Sequence, residues 1–195
     1  MIEIETSNFV ISKQAKKLPE IIKIDEEFAY TLGLWKADKC STAKGIVGLR
    51  SKDDILINKF KCFIQKLELE AKERTVKGYG ITKEVYCCSM PLKRIFEFVS
   101  NNILDMLKLD KIKLAYLAGL VDGDGSTGGL AHLLIFYGLN KIKEAEKDSQ
   151  LINSLNFKTT LKVKTNHLRL YILKPNQMLK HLSQFLILKR KLNVA

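Results

Sequence analysis

One apolar stretch that ends in two acidic residues limits most strongly how this chain can fold. Its sequence is Leu114-Ala-Tyr-Leu-Ala-Gly-Leu-Val-Asp-Gly-Asp-Gly-Ser126, and its apolar residues recur with the spacing of a helix. Gly119 and Gly123 are four residues apart, so they lie one above the other on one face of that helix. A face of small residues lets another helix approach more closely than larger side chains would permit. The stretch therefore predicts a tightly packed helical partner.

The same stretch places a carboxylate where its helix must end. Asp124 lies between Gly123 and Gly125, two residues that tolerate the backbone angles of a helix terminus. The C-terminus of a helix carries partial negative charge, so an acidic side chain is unfavourable there on its own. We therefore expect a compensating cation next to Asp124.

A second copy of the pattern supplies the partner helix. Aligning Asp38 with Asp124, an offset of 86 residues (124 − 38), brings two tyrosines, two glycines and two leucines into register. These pairs are Tyr30 with Tyr116, Gly33 with Gly119, and Leu34 with Leu120. An internal repeat at this distance predicts two similar half-domains in one chain.

The charge balance favours a polyanionic partner. The 195 residues include 33 Lys and Arg against 21 Asp and Glu, a net charge of +12, and such an excess is typical of nucleic-acid-binding proteins. No apolar run reaches the roughly 18 residues of a membrane span, and residues 1–6 lack the apolar segment of a signal peptide. We therefore expect no membrane partner and a cytoplasmic location, or an organellar one if an organelle genome encodes the chain.

The patterning of apolar residues predicts an α+β protein in which each half has the order α-β-β-α-β-β-α. Predicted helices cover residues 26–36, 55–67, 90–107, 140–155 and 175–188, besides the helix that ends at Asp124. Predicted strands flank the turn at 41–45 and cover 70–76, 82–89, 133–137, 159–164 and 167–173. We interpret residues 1–24 as a leader, 25–111 as the first half and 112–195 as the second half. No flexible linker separates the halves, so we expect one compact unit.

Residues 117–125, Leu-Ala-Gly-Leu-Val-Asp-Gly-Asp-Gly, resemble the nine-residue signature of the LAGLIDADG homing endonucleases. Residues 31–39 form a weaker copy, and the resemblance covers about residues 25–195. It is to the two-motif branch, which implies a monomer whose motif helices pack at a pseudo-twofold interface beneath a saddle of antiparallel sheets. It further implies a site-specific endonuclease that hydrolyses double-stranded DNA and serves intron homing.

The resemblance also implies a metal site. Asp38 and Asp124 would bind divalent metal ions, together with the backbone carbonyl groups of Ala37 and Gly123. Hard oxygen ligands favour Mg²⁺, with Ca²⁺ or Mn²⁺ as substitutes. The motif agrees with this, because two carboxylates held close together need a cation between them.

A basic segment near the C-terminus, residues 185–191, resembles the part of the family that carries an active-site lysine. Lys189 is the first candidate and Lys191 the second, and Lys108 or Lys111 would be the equivalent in the first half. A lysine there could polarise the attacking water or neutralise charge on the scissile phosphate. A solvated basic helix end is the alternative for each of them.

In the same family, strand side chains contact the DNA backbone and read base edges. Because successive strand residues alternate between faces, Lys162 and Lys164 should share a face with His167 and Arg169. The DNA-binding candidates, basic or aromatic residues on or beside predicted strands, are Lys44, Arg50, Arg74, Lys77, Lys83, Tyr137, Lys162, Lys164, His167 and Arg169.

Two lysines depart from the signature in the first copy. Lys36 and Lys39 lie within two residues of Asp38, so we expect them to lower its pKa and to compete with a metal ion. The hairpins that follow the motifs are also short. These departures leave two alternatives open: a relative that binds DNA or intron RNA without cleaving it, such as a maturase or a regulator, and a small structural or interaction protein with an incidental acidic turn.

Overall fold

The order of helices and strands repeats once along the chain, as the internal repeat predicts. The computed structural model describes residues 2–10, 18–40, 45–78, 80–127, 132–188 and 191. The first part contains β1 (Ile2–Glu5), β2 (Ile21–Ile24), α1 (Glu26–Asp38), β3 (Ile46–Ser51), α2 (Asp54–Lys66), β4 (Lys72–Gly78), β5 (Gly80–Cys88), α3 (Met90–Asn101) and α4 (Ile103–Met106). The second part contains α5 (Asp110–Asp124), β6 (Gly125–Ser126), β7 (Leu133–Tyr137), α6 (Ile142–Asn153), β8 (Thr159–Val163), β9 (Leu168–Ile172) and α7 (Pro175–Leu182).

The predicted order of elements holds in the second half and with two differences in the first. The helix predicted over residues 90–107 is divided into α3 and α4, with Asn102 between them, and the second difference concerns the strand before residues 41–45. Gly125 in β6 pairs with Ile135 in β7. The residues 86 positions earlier (125 − 39 and 135 − 49), Lys39 and Leu49, form a single β-bridge. Within the described residues, the strand predicted before residues 41–45 is therefore reduced to one bridging residue. The offset of 86 residues that relates the two motif helices therefore also relates the paired residues of the strands that follow them.

Each half contains an antiparallel sheet with one apolar face. The strand orders are β3-β5-β4 in the first half and β6-β7-β9-β8 in the second. Buried apolar residues face the helices in both central strands, namely Leu168, Leu170 and Ile172 in β9, and Val85 and Cys87 near the end of β5. The opposite face of each sheet, called the outer face below, carries polar and aromatic side chains. This is the predicted α+β architecture.

The two motif helices, α1 and α5, pack backbone against backbone at the centre of the molecule. A Cβ atom added at Gly33 would overlap the backbone carbonyl oxygen of Tyr116, and one added at Gly119 would overlap that of Tyr30. Any larger residue would force the helices apart, because protein interiors are close-packed. The close approach predicted from the small residues is confirmed.

The segment interpreted as a leader contributes to the core of the first half. β1 pairs with β2 as an antiparallel hairpin, and Ile4, Ile22 and Ile24 are buried. The rings of Phe9 and Phe98 meet edge to face, with centroids 5.5 Å apart. The described residues of this segment therefore pack against the first half.

The last helix, α7, ends at Leu182 and not near residue 188 as the periodicity predicts. Beyond it the backbone N–H groups of Ile187 and Leu188 donate to the carboxylate of Asp122, at 2.8 and 3.2 Å. These bonds replace helical ones and direct the chain back towards the end of α5. Among the described helices, none is both long and apolar enough to cross a lipid bilayer.

Candidate metal and nucleic-acid site

The C-terminal ends of α1 and α5 bring one acidic residue from each half to the same place. Ala37 faces Gly123 so closely that a Cβ atom at Gly123 would overlap the Ala37 side chain and lie 3.6 Å from the Asp38 Oδ2 atom. Asp38 and Asp124 follow directly, and both side chains are partly buried. The two sequence-predicted metal ligands therefore lie together where the halves meet.

The surroundings of both carboxylates oppose their ionisation. Burial, followed by the negative charge of Asp38, raises the pKa of Asp124 to about 7. Burial also raises the pKa of Asp38 and outweighs the positive charges of Lys191 and Lys141. The expectation that neighbouring lysines would lower the pKa of Asp38 is therefore wrong in direction, because the cost of burying the charge is larger.

Two lysines are the compensating cations that the acidic helix ends require. The Lys191 ammonium donates to the carbonyl oxygens of Val121 and Gly125, each at 2.6 Å, so it lies at the negative end of α5. The Lys141 ammonium lies 3.5 Å from the carbonyl oxygen of Lys36, at the corresponding end of α1. Both charges act on Asp38 and on Asp124. Lys191 is the second of the two C-terminal lysine candidates, whereas Lys141 is not among the residues predicted from the sequence.

The other lysine candidates lie elsewhere. Lys111 forms an ion pair with Glu26 at the beginning of α5, and Lys108 precedes that helix. With a rise of about 1.5 Å per residue, the 15 residues of α5 place its two ends roughly 20 Å apart. Lys108 and Lys111 are therefore at the wrong end of the motif helix to act beside Asp124. Lys189 and Lys44 lie outside the described residues.

Lys36 points away from the acidic pair into a buried polar cluster. Its side chain is 5% exposed, and its ammonium lies 3.3 Å from the Asp148 Oδ2 atom and 5.5 Å from the centre of the Tyr116 ring. Lys39 lies over the ring of Trp35, with its ammonium 5.2 Å from the ring centre. Both lysines that depart from the signature are therefore engaged by side chains other than Asp38.

Asp148 is a fully buried carboxylate that sequence reasoning missed. It accepts hydrogen bonds from the hydroxyls of Tyr116 and Tyr137, at 2.7 and 2.9 Å, as well as the contact from Lys36. A signal was present, because Asp148 lies three residues after Ala145 and four before Ile152, at the spacing of the buried face of α6. An acidic residue at such spacing predicts a buried partner.

Tyr137 was a DNA-binding candidate, and the structure contradicts that assignment. Its side chain faces the helices, is buried, and donates to Asp148. The strand Leu-Leu-Ile-Phe-Tyr is apolar throughout, so its sequence contains no alternation that would indicate which face is buried.

Asp122, which is equivalent to Lys36 (122 − 36 = 86), is also buried and also bonds across the interface. The hydroxyl of Tyr30 donates to its Oδ2 atom at 2.7 Å, in addition to the two backbone amides beyond α7. Burial raises the pKa of Asp122 despite these donors. Asp122 therefore fixes the segment that carries Lys191.

The donors at the helix ends fit a divalent cation. The carboxylates of Asp38 and Asp124 carry hard oxygen atoms, the type of ligand that Mg²⁺ prefers, and the carbonyl groups of Ala37 and Gly123 would add further oxygen ligands. No cluster of three or more His, Cys, Asp or Glu side chains occurs among the described residues, so water and phosphate oxygens would complete the coordination. Burial and then the charge of Asp38 raise the pKa of Asp124, and a bound cation would offset both effects.

The outer face of the second sheet carries the predicted basic residues. Lys162 pairs directly with Arg169 in the register of β8 and β9, so both lie on this face. The Arg169 guanidinium lies 5.6 Å from the centre of the Phe136 ring, and its Nε–H group donates to the His167 Nε2 atom at 2.7 Å. Lys164 follows two residues after Lys162 and is exposed. The predicted common face is confirmed for these strands.

The predicted DNA-binding residues of the first sheet lie on both of its faces. Arg50 and Arg74 both pair with Glu84 in the strand register, so these three share the outer face. Lys77 and Lys83 lie at the alternate strand positions, whose side chains face the helices. Lys83 forms an ion pair with Asp54 at 2.8 Å. The sequence contained the signal, since Lys83 lies two residues before the buried Val85. We therefore exclude Lys77 and Lys83 from the outer face.

The arrangement resembles known proteins in fold. The chain matches the homing endonuclease I-DmoI in complex with DNA and calcium, with 22% identity over 84% of this chain and 91% of that chain and a TM-score of 0.64. A complex of I-DmoI with DNA and manganese matches with 21% identity over 85% and 98% of the two chains and a TM-score of 0.61. The chain has the two-motif LAGLIDADG fold. The N-terminal LAGLIDADG domain of WhiA matches this fold as well, with 18% identity over 88% and 87% of the chains and a TM-score of 0.61.

The similarity in sequence covers less of the chain than the similarity in structure. No protein-family model matches the chain. The DNA-directed RNA polymerase subunit Rpo1C of Methanocaldococcus jannaschii is 26% identical over 125 residues, a match that spans 57% of this chain and 14% of that protein. The match therefore concerns about one seventh of the length of this relative.

Proposed function

We propose that this LAGLIDADG protein is a monomeric, site-specific endonuclease that hydrolyses phosphodiester bonds of double-stranded DNA with divalent metal ions, Mg²⁺ in the first place. The observation that carries the proposal is the meeting of Asp38 and Asp124 at the ends of two helices packed backbone against backbone. The pKa of Asp124, raised to about 7, agrees with carboxylates placed for a cation. The fold shared with I-DmoI, whose structures contain DNA with calcium or manganese, supports it.

Each residue of the site has a distinct part in this proposal. Asp38 and Asp124, with the carbonyl groups of Ala37 and Gly123, would hold the metal ions. Divalent metal ions stabilise negative charge on the attacking and leaving oxygens of a phosphodiester. Lys191 would stabilise charge on the phosphate, and Lys189 remains a sequence prediction for the same part.

The outer faces of the two sheets would contact the duplex. Lys162, Lys164 and Arg169 carry positive charge suited to phosphate oxygens and base edges, and the two arginines of the first sheet are suited to base edges. His167 lies beside Arg169 and would assist it, and Lys44 remains a sequence prediction. The protein would act in whichever compartment holds its target, the cytoplasm or an organelle.

A cleavage assay tests the proposal. Duplexes that the protein enriches from a random pool, in the absence of metal, would be cloned into a plasmid and incubated with the protein and Mg²⁺. We expect linear product that EDTA prevents, and at least a hundredfold loss of cleavage in Asp38→Asn and Asp124→Asn with DNA binding retained. Asp110→Asn is the matched control, because it removes a charge from the exposed beginning of α5. Cleavage that survives in either site variant would refute the metal assignment.

A second candidate function is binding of DNA or intron RNA without cleavage. The observation that favours it is the pair of ammonium groups, Lys141 and Lys191, that already offsets the acidic charge at the helix ends. Under this alternative the protein would bind the enriched duplex, or a structured RNA, with equal affinity in EDTA and in Mg²⁺. It would also leave the plasmid intact at every metal concentration.

A further inference from the structure

A fully buried carboxylate lies on the outer face of the first sheet, where a DNA-binding surface is expected to be basic. The side chain of Glu84 has 0% exposure, and it is covered by the two arginines with which it pairs across the sheet. The Nε–H group of Arg50 donates to the Glu84 Oε1 atom at 2.6 Å, and that of Arg74 donates to Oε2 at 2.5 Å. One carboxylate therefore holds two guanidinium groups from two different strands.

Glu84 is ionised in this arrangement. Burial by itself would raise the pKa of its carboxyl group, but the hydrogen bonds and charges of Arg50 and Arg74 outweigh burial and lower the pKa. The three groups together carry a net charge of +1. A carboxylate within an otherwise basic surface weakens the attraction for phosphate, so affinity for the DNA backbone does not account for its presence.

The two arginines keep their outer edges exposed. Their side chains are 48% and 54% exposed, although both Nε–H groups are engaged below. The Arg74 guanidinium also lies 5.4 Å from the centre of the Tyr86 ring, so it is held from two sides. A guanidinium carries five N–H donors. Glu84 engages the Nε–H group of each arginine and also the Nη2 nitrogen of Arg50, which leaves the remaining N–H groups of the terminal nitrogens for a ligand.

We propose that Glu84 is a positioning residue that orients Arg50 and Arg74 so that both read guanine bases in the half of the target beneath the first sheet. Arginine recognises guanine through two parallel N–H donors directed at O6 and N7 in the major groove. An arginine held at its Nε atom loses little rotamer freedom when it makes these bonds. The carboxylate also keeps each guanidinium from turning towards a phosphate. This inference rests on the proposed DNA binding and does not depend on cleavage.

The matched control is Glu73, a glutamate of the neighbouring strand whose side chain points to the other face of the sheet. Glu73 faces the helices and pairs with Lys61 at 2.5 Å. Glu73→Gln and Glu84→Gln change the net charge of the same sheet by the same amount. The lost charge alone should raise general affinity for DNA in both variants, and more in Glu84→Gln because Glu84 lies on the outer face. A loss of preference for guanine is expected in Glu84→Gln and not in Glu73→Gln.

The first measurement uses the free protein. Nitrogen-15 relaxation of the arginine Nε–H groups should report ordered side chains for Arg50 and Arg74 in the wild type and in Glu73→Gln. Both groups should become mobile in Glu84→Gln. Mobile Arg50 and Arg74 side chains in the wild type would overturn the positioning role, whether or not the protein binds DNA.

The second measurement is selection from a random duplex pool in EDTA. We expect the wild type and Glu73→Gln to enrich sites with two guanines in one half-site, and Glu84→Gln to lose about tenfold in preference for guanine over other bases at those positions. Preferences in the other half-site should stay unchanged. Glu84→Asp keeps the charge but is shorter, so it should lose guanine preference while it keeps overall affinity. Glu84→Asp therefore also tests the role of Glu84 if Glu84→Gln does not fold.

The outcomes separate this inference from the proposed function. A wild type that enriches no sequence would overturn site-specific DNA binding and this inference together. A wild type that enriches a site whose guanine preferences are the same in Glu84→Gln and Glu84→Asp would overturn only the role of Glu84.

Discussion

The two halves of the molecule have the same framework but carry opposite charges at equivalent places. The motif position that is Lys36 in the first half is Asp122 in the second, and both side chains are buried and bond across the interface. The middle of the outer face carries Glu84 between two arginines in the first sheet and Arg169 beside Lys162 in the second. The backbone repeat is therefore independent of the charge pattern.

This difference indicates what each half contributes. Small residues at the helix interface and the strand register are repeated, because both halves must present one carboxylate to the same point. The charged residues need not be the same in the two halves, because each one only has to contact its own partner. Under the proposed function, a single chain with two different halves could bind two different half-sites, which a symmetric pair of identical halves could not.

The largest expected effect tests the shared framework. Gly119→Ala would place a Cβ atom against the backbone carbonyl of Tyr30, and Gly33→Ala would do the same at Tyr116. Backbone atoms cannot move aside without separating the helices, so we expect each variant to lose at least about 4 kcal/mol of unfolding free energy or fail to fold. Denaturant unfolding would measure this, and equal losses would confirm that the halves are equivalent here.

The control for this comparison is Gly138→Ala. Its Cβ atom would meet only the side-chain oxygen of Asn140, which can rotate away. We expect a change within about 0.5 kcal/mol. A motif-glycine variant as stable as this control would contradict the backbone contact between α1 and α5.

The next effect tests the inverted charge in the motif. Lys36→Met leaves Asp148 buried with two tyrosine hydroxyls and no cation, so we expect a loss of about 3 kcal/mol in unfolding free energy. Lys36→Met combined with Asp148→Asn removes both charges and should recover at least half of that loss, because the uncompensated charge is gone. Losses that simply add in the double variant would show that the pair is not coupled.

Substitution of Asp124 is expected to change the unfolding free energy less, and to raise it. The pKa of Asp124 is about 7 in the folded protein and 3.8 without the surroundings, so the folded state holds this proton more tightly than the unfolded state. The associated stability is present below about pH 4 and is lost as the pH rises through about 7. Asp124→Asn should therefore stabilise the metal-free protein near pH 8, by about 1 kcal/mol after allowance for partial exposure.

Thermal unfolding at several pH values, with EDTA present, measures this effect. The variant and the wild type should have the same stability near pH 4, and the difference should develop between pH 4 and 8. Asp110→Asn, at the exposed beginning of the same helix, should show no such divergence. A wild type whose stability rises over this range relative to Asp124→Asn would mean that the carboxylate is better stabilised than its burial indicates.

Sequence patterns predicted the framework because the framework depends on local spacing. Gly33 and Gly119 predicted the close helix pair, and strand alternation placed Lys162 and Arg169 on one face, since both follow from regular backbone periodicity. The offset of 86 also predicted which two carboxylates would meet. These features require no knowledge of how distant segments are arranged.

The charged partners could not be predicted in the same way. Lys36 and Asp148 are 112 residues apart in sequence, and their contact depends on how α6 packs across the interface. Lys141 reaches the end of α1 from the other half, and no residue of similar charge occupies the equivalent position, Ile55. Sequence proximity suggested that Lys36 would act on Asp38, whereas the direction of its side chain on the helix takes it elsewhere.

In the proposed function, Asp38 and Asp124 together bind divalent metal ions. Titration of Mn²⁺, monitored by electron paramagnetic resonance, would measure bound metal in the protein alone and in its complex with an enriched duplex. We expect the wild type and Asp110→Asn to bind Mn²⁺, more tightly with DNA present, and Asp38→Asn and Asp124→Asn each to lose at least tenfold in affinity. Unchanged Mn²⁺ binding in both site variants would contradict the proposed metal binding.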